Sequence, residues 1–485
     1  MWIPHTIPRT TFNLFTPSND VLFLPNEIRR GIKSEDFNWT RRVPTELKYM
    51  CLNTIANNFR KFPKDLFQRI TPMNTVYLTE TLDTGLPLSA VTRVPDGEYW
   101  KRRCDDNWPD FSKTQPNVSS YKITFISEFV SKTIENLTPG YVDRAELAEL
   151  LTAASPYMTV LSCSQLCIPG SLLHELDMAE RDELPGEPVH VDIGFVLRHL
   201  TGLREVKLVY GAKSLNGVDY TPDQYKFNIE DMDVLGRGLI TMNYLTSLAI
   251  VKSDLDVVKF NRLSLYLVNC PGLERADFSY CKMDSSATKS VANYAKVANN
   301  LRSINLFCND ISPDGVEALA YVALWRRRNN MIALGLNLGM NNINDIGAHY
   351  LASAIASGMQ PFSELRIRNC RITCVGGLSI VHSLEYDQGL QTFQIDNNLV
   401  GPEVAVELHK LFRNNTNIKY LSAHNCEFPL KLEKFLERVA FCNLREKRST
   451  LTYLDLEDLI TPDYEPIINS EELDKNNEEY EIKSE

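Results

Sequence analysis

Leu390-Gln391-Thr392-Phe393-Gln394-Ile395-Asp396-Asn397-Asn398-Leu399-Val400 is the stretch that decides how this chain folds. It reads L-x-x-L-x-L-x-x-N-x-L, with apolar residues in the L places and an asparagine near the end. The spelling returns from Leu273, Leu301, Phe362 and Ile418, with Cys281, Cys370 and Cys426 standing where Asn309 and Asn398 stand elsewhere. Weaker copies begin at Leu245 and at Ala333, the latter running through Leu336, Leu338, Asn341 and Ile343. Starts at 245, 273 and 301 are 28 residues apart, and so are those at 362, 390 and 418. The other two intervals are 32 (301 to 333) and 29 (333 to 362). Seven copies at a near-fixed period mark a repeat architecture.

This is the leucine-rich-repeat pattern, and its physics is simple. Each copy opens with a short strand whose L residues point inward. The Asn or Cys then satisfies backbone groups where the chain turns. A helical return follows, as in Pro313–Leu324 or Asp345–Ile355, where apolar residues recur at helical spacing. Units of this length are of the ribonuclease-inhibitor type. One unit cannot bury its own apolar face, so the copies must stack. The predicted fold class is α/β: a solenoid with a parallel sheet inside and helices outside, preceded by a small α-helical N-terminal domain.

Five segments are expected. Residues 1–37, rich in Pro, Thr and Asn, read as an extended arm. Trp2 and Phe12-Asn13-Leu14-Phe15 within it either dock or are disordered. Residues 38–119 read as the helical domain, with Leu47, Met50, Cys51, Ile55 and Phe59 on one helix face and Thr45 as its N-cap. Tyr99-Trp100-Lys101-Arg102-Arg103 followed by Trp108-Pro109 suggests core aromatics with a stacked guanidinium. Residues 120–230 read as irregular leading repeats that cap the sheet edge. They hold two helices, a strand at Tyr157–Cys163, a charged loop over 171–189, a helix at Val191–Leu200, a half-repeat from Leu203 and an insertion from Gly211 to about Phe227. Leucine-rich repeats fill 231–461, ending in an incomplete copy at Leu451, Leu454 and Leu456. Residues 462–485 carry nine acids and two lysines and read as a disordered acidic tail.

Composition narrows function. The net charge of −11 argues against nucleic acid as the main partner. No apolar run approaches the roughly 18 residues of a membrane span, and the N-terminus lacks secretory-signal character. A cytoplasmic protein is therefore expected. An odd count of eleven cysteines fits free thiols. Cys163/Cys167 and Cys370/Cys374 each resemble half a metal site, but no second pair stands nearby, so no metal and no cofactor is expected. There is no nucleophile elbow, phosphate loop, zinc-protease helix or kinase signature, so no catalytic residue is expected. His382, His409 and His424 lie singly within repeats. Arg326-Arg327-Arg328 closes a return helix, where cations complement the dipole; an anion-binding patch is the alternative.

The surface with information is the hollow side of the sheet. Between the inward residues of each strand stand Arg275, Asp277 and Ser279; Ser303, Asn305 and Phe307; and Glu364, Arg366 and Arg368. The last two strands add Thr392, Gln394 and Asp396, then Tyr420, Ser422 and His424. Neighbouring strands lie about 4.8 Å apart, so these residues form a dense preorganised ladder. Phe307, Arg366, Arg368 and Tyr420 are the anchor types that protein interfaces use.

The order of features over about residues 38–460 resembles the T-complex-associated testis-expressed family, which supplies the leucine-rich-repeat subunit (subunit five) of the nexin–dynein regulatory complex. The resemblance rests on Leu47-Lys48-Tyr49-Met50-Cys51 through Phe59, Leu86-Pro87-Leu88-Ser89-Ala90-Val91, Glu98–Cys104 with Trp108-Pro109, and Leu203–Tyr210 leading through an insertion into the repeats. The leading repeats, the Ala333 copy and the acidic tail depart from it. It implies a non-catalytic scaffold in the axoneme of cilia or flagella, with other subunits of that complex as partners. Doublet microtubules and dynein would be reached indirectly, with inter-doublet linkage and regulation of dynein-driven bending as the role. A competing class is a cytosolic leucine-rich-repeat regulator such as a Ran-type GTPase-activating protein. That class would need Arg and Asn on strand-end loops of its early repeats, which here are degenerate.

Overall fold

A computed structural model describes residues 46–109, 111, 118–137, 142–167, 190–211 and 227–444, except the side chain of Cys442. The expected arm, the 171–189 loop, the interior of the 211–227 insertion, the copy at Leu451 and the acidic tail lie outside the described residues. The chain divides into two compact units, Met1–Gly85 and Leu86–Glu485. The segment read as one helical domain therefore contributes to both.

In the first unit, α1 (Leu47–Asn57), α2 (Leu66–Arg69) and α3 (Pro72–Thr81) are joined by tight turns. The buried side of α1 differs from the expected one. Leu52 is buried, whereas Leu47 is 75% exposed, Met50 48% exposed, and Cys51 also exposed. Two local facts turn the helix. The α-helix stops at Asn57, so Phe59 is buried from a 3-10 turn rather than from the helical phase. On the other side Tyr49 packs against Tyr77 of α3 with ring centroids 4.8 Å apart, and Asn53 accepts from the Tyr77 hydroxyl at 3.1 Å. Glu46 is the N-cap residue and supplies no side-chain bond, so no cap fixes the phase.

The second unit opens with α4 (Leu88–Val91) and α5 (Glu98–Asn107), and the aromatic reading of this stretch is realised. Tyr99 and Trp100 are fully buried, and Trp100 Nε1 donates to Val94 O at 3.2 Å. The Arg103 guanidinium lies 4.7 Å from the centroid of Phe125, on α6 (Tyr121–Glu135), and donates to Tyr99 Oη and Leu86 O. Then α7 (Arg144–Ala154) leads into β1 (Val160–Cys163), and α8 (Ile193–His199) into β2 (Glu205–Leu208).

From there strand and helix alternate. The order is α9 (Ile229–Leu239), β3 (Ser247–Ile250), α10 (Val257–Leu267), β4 (Arg275–Asp277), α11 (Ser285–Val297), β5 (Ser303–Asn305), α12 (Pro313–Arg328) and β6 (Leu334–Asn337). It continues through α13 (Asn344–Ala356), β7 (Phe362–Arg366), α14 (Cys374–Ser383), β8 (Thr392–Gln394), α15 (Gly401–Asn414), β9 (Tyr420–Ser422) and α16 (Leu430–Leu444). The nine strands form one parallel sheet in sequence order, an open leucine-rich-repeat solenoid. Leu248, Ala276, Ile304, Leu336, Leu365, Phe393 and Leu421 stand in register as successive rungs, each nearly or fully buried. No described helix is long and apolar enough to cross a membrane.

The two irregular intervals leave physical traces. Between the Ala333 and Phe362 copies, Leu334 pairs with Phe362 but Gly335 pairs with Glu364, so Ser363 is the extra residue, taken up as a bulge. The longer interval before Ala333 is absorbed in α12, whose 16 residues exceed the 13 of α11 and α13.

A second ladder runs beside the leucines. Asn398 Oδ1 accepts from Cys370 N at 2.8 Å and Ile372 N at 3.2 Å, while its Nδ2 donates to Ile367 O and Ile395 O at 2.8 and 2.7 Å. Asn341 does the same for Asn309 N and Ile311 N, and Asn309 for Cys281 N and Met283 N. Each asparagine thus completes backbone groups of its own copy and of the one before. Cysteine does half of this: Cys281, Cys370 and Cys426 donate Sγ–H to Ile250 O, Leu338 O and Ile395 O of the preceding copy, at 3.1 to 3.3 Å. Burial pushes the thiols of Cys281 and Cys370 up to about 12 and that of Cys426 to about 11, so they remain protonated donors. The residue before each ladder position is left-handed: Lys252, Tyr280, Cys308, Met340, Asn369, Asn397 and Asn425 have φ between 50° and 59°.

Two outcomes follow from the ladder. Asn398→Ala strands two buried N–H groups and should lower unfolding free energy by about 3 kcal/mol in urea titrations, against about 1 kcal/mol for Cys370→Ala. Under native conditions N-ethylmaleimide should modify exposed Cys51 rapidly and leave Cys281, Cys370 and Cys426 unmodified until denaturant is added, as peptide mass spectrometry would show.

Candidate protein-binding surface

Because consecutive residues of a strand face opposite ways, the residues flanking each buried rung lie on the sheet face away from the helices. There the ladder order brings together groups distant in sequence. Arg275 on β4 pairs with Glu205 on β2 at 2.7 Å, and Arg366 pairs with Glu364 on the same strand at 2.8 Å. Between them lies a hollow of about 280 Å³ lined by Arg275, Asp277, Asn305, Asn337, Glu364 and Arg366. Gly335 lies within it and lacks the side chain that β6 would otherwise raise there.

Several side chains of this face serve the turns that follow the strands. Asp277, Asn305 and Asn337 each accept from the N–H two residues on, in Ser279, Phe307 and Gly339. These three are half-buried and keep a free edge toward the hollow. Asp396 is different. It is 6% exposed, and its Oδ1 accepts from Ser422 Oγ at 2.5 Å and His424 N at 2.9 Å, so it ties β8 to β9 rather than facing outward. Ser279 and Ser422 are likewise buried. Gln394 is half-buried and Tyr420 is 51% exposed.

Above the strands the Phe307 ring meets Tyr280 edge-on, with centroids 5.5 Å apart. A Cβ at Gly339 would stand 2.8 Å from Arg368 Cγ and 2.9 Å from Phe307 Cδ2, so this glycine lets the Arg368 stem and the ring close over the backbone. Tyr280, Phe307, Met340 and Arg368 form a rim of anchor-type side chains; Tyr280 and Met340 are 46% and 43% exposed. Tyr280, Asn337, Gly335 and Met340 were not among the residues picked from the pattern. The signal for Asn337 is in the sequence, since it holds the same strand position in the Ala333 copy as Asn305 in the copy before.

His424 stands at the far end of the face. Its Nδ1 lies 2.6 Å from Glu433 and its Nε2 3.2 Å from Glu437, both on α16. The ligand atoms of the three residues lie within 4.8 Å of one another, which is compact enough to hold a metal ion. Each carboxylate, however, takes a different ring nitrogen, the arrangement of a doubly bonded imidazolium. The hydrogen bond to Glu433, aided by the charges of Glu437 and Asp396, raises the imidazole above its ordinary range. Cys163 and Cys167 are buried, and Cys370 donates to Leu338 O.

Arg326 does not form a surface patch. It is fully buried, donating to Ala295 O, Ala298 O and Leu301 O at 2.5 to 2.7 Å, and burial lowers its guanidinium to about 10. It caps the end of α11 from inside. Arg327 likewise reaches Met331 O and Met359 O.

The His424 clamp gives a pH dependence of known sign. A raised folded-state value means the stabilisation is fully present below the ordinary imidazole value of 6.5 and is lost as pH rises through the folded value. Hydrogen exchange of peptides covering β9 and α16, corrected for intrinsic rates, should therefore quicken as pH rises above 6.5. His424→Gln should remove that difference.

Comparison with known proteins adds relatives to this geometry. A model described as a leucine-rich repeat matches residues 297–320. Dynein regulatory complex subunit 5 of Homo sapiens is 25% identical over 258 residues, covering 52% of this chain and 51% of that protein. Its Mus musculus counterpart is 23% identical over 286 residues, 57% of each. The chain thus spans about half the length of the curated relatives it matches. With its in-register rungs, its asparagine ladder and these two relatives, the chain is a leucine-rich-repeat protein similar to dynein regulatory complex subunit 5.

Proposed function

We propose that this chain is a non-catalytic scaffold of the nexin–dynein regulatory complex in the axoneme of cilia or flagella. In this reading it binds other subunits of that complex and reaches doublet microtubules and dynein through them. It would thereby support linkage between doublets and control of dynein-driven bending. The observation that carries the reading is the similarity to subunit 5 over 258 residues, which covers half of the chain.

The sheet face supports it physically. Side chains fixed on a parallel sheet lose little freedom on binding, so less of the contact energy is offset by ordering. Arg366, Arg368, Phe307 and Tyr420 supply cationic and aromatic anchors, with Arg275, Asp277, Asn305, Glu364 and Gln394 as polar surroundings. Buried Asp396 ties β8 to β9 beneath this face, and exposed His424 ties β9 to α16 at its far end.

Two experiments test this. Axonemes extracted at rising salt should release the protein together with the other regulatory-complex subunits; release with a different set of proteins would overturn the assignment. Combined Arg366→Glu and Arg368→Glu should weaken capture of those subunits at least tenfold, with the circular-dichroism melt unchanged. Undiminished capture would move the interface off this face.

A further inference from the structure

Three residues before the start of each copy, the chain passes from helix to strand. In the copy starting at Ile418 this place holds Asn415, whose Oδ1 accepts from Asn417 N at 2.9 Å and Ile418 N at 3.2 Å. In the copy starting at Leu390 it holds Asp387, whose Oδ2 accepts from Gly389 N at 3.0 Å and Leu390 N at 2.7 Å. An amide closes the turn in one copy, so the turn does not require the charge that Asp387 adds in the other. Asp387 is only 4% exposed, and its Oδ1 has no hydrogen-bond partner among the described residues. A buried carboxylate oxygen without a donor is an unmet demand.

Asp387 lines a hollow of about 370 Å³ between the C-terminal ends of α14 and α15. Glu385, just beyond α14, and Glu407, on α15, also line it. Both helices end there, with the negative pole of each helix dipole, so helices and carboxylates alike favour a cation. The chain's own cations at this place are engaged elsewhere. Lys410 Nζ bonds Glu407 at 2.7 Å, and His382 also faces Glu407, at 3.9 Å.

Another copy shows what fits. Arg326 follows Leu301 by 25 residues, and its guanidinium fills the corresponding place between α11 and α12, bonding Ala298 O, Ala295 O and Leu301 O. Ala298 is the counterpart there of Asp387. The residue that follows Leu390 by 25 is Asn415, so a short amide stands where the earlier copy has an arginine, and the space stays open.

We propose that this hollow receives an arginine side chain of a partner protein. The guanidinium would donate to Asp387 Oδ1, with exposed Glu385 adding negative charge beside it. Arginine is favoured over lysine because its planar fork can meet several acceptors at once, as Arg326 does. The site lies on the helix side of the repeats and does not depend on the sheet face or on the axonemal assignment.

The test uses the full chain and a fluorescein-labelled five-residue peptide with one central arginine, beside lysine and citrulline versions, read by fluorescence anisotropy. Saturable binding of the arginine peptide is expected, at least tenfold weaker with lysine and undetectable with citrulline. Asp387→Asn keeps both turn acceptors, as Asn415 does, and should weaken binding at least tenfold. Glu385→Gln, an exposed wall residue, should weaken it about threefold and decides the matter should Asp387→Asn fail to fold. Absence of saturable binding, or binding untouched by both variants, would overturn the proposal. A higher melting temperature for Asp387→Asn with arginine binding unchanged would do the same, marking Asp387 as a charge of the turn alone.

Discussion

The structure of the repeats depends on completing backbone hydrogen bonds where the chain turns out of the sheet. Parallel strands as short as three residues give few ladder bonds each, and a buried turn leaves N–H and C=O groups that water cannot reach. Asn309, Asn341 and Asn398 meet this need with both ends of the amide at once, bonding N–H groups of the previous copy and carbonyls of both copies. A side chain with both donor and acceptor is required for that. The cysteines at the same position donate only, and Cys281 and Cys370 each lie one copy before an asparagine that serves their own N–H groups.

The same economy explains the buried arginine. Burying a guanidinium without a counter-charge is costly, and the lowered value of Arg326 records it. The cost is offset because the group donates to three carbonyls, Ala295 O and Ala298 O at the end of α11 and Leu301 O where the next copy starts. Asn443, on α16, does the equivalent work beyond the end of α15, donating to Asn415 O and Ile418 O. Different side chains meet one geometric demand, because each copy repeats the demand and only the available space differs.

The proposed function would draw on this fixed register. With rungs and turns in register, the open face of the sheet holds its side chains at set spacings, and pairs such as Arg275 with Glu205 form between strands of different copies. A partner bound there, as proposed, would meet a prearranged pattern of charge and aromatic surface. The left-handed residues before the ladder carry side chains to the rim of that face, which is how Tyr280 and Met340 come to stand beside Phe307 and Arg368.

Much of this was legible in the sequence. The period, the inward leucines and the Asn/Cys place determined the strand positions from Leu245 to Ile418, because one unit's burial pattern depends only on local alternation and on a neighbour of the same kind. The aromatic cluster around Trp100 was legible for a similar reason, since large apolar groups beside an arginine have few other ways to be buried. What the sequence could not decide was direction and company. Helical spacing placed Leu47, Met50 and Cys51 inward, but Tyr77 and the early end of the helix turned that face out. Alternation placed Asp396 and His424 on the open face; Asp396 is instead buried against Ser422, while His424 stays exposed but is engaged by Glu433 and Glu437 of α16. Arg326 looked like a surface cation until the neighbouring copy supplied carbonyls for it. The choice between open and engaged depends on which polar partners the fold brings within about 3 Å, and that distance exists only once the copies are stacked.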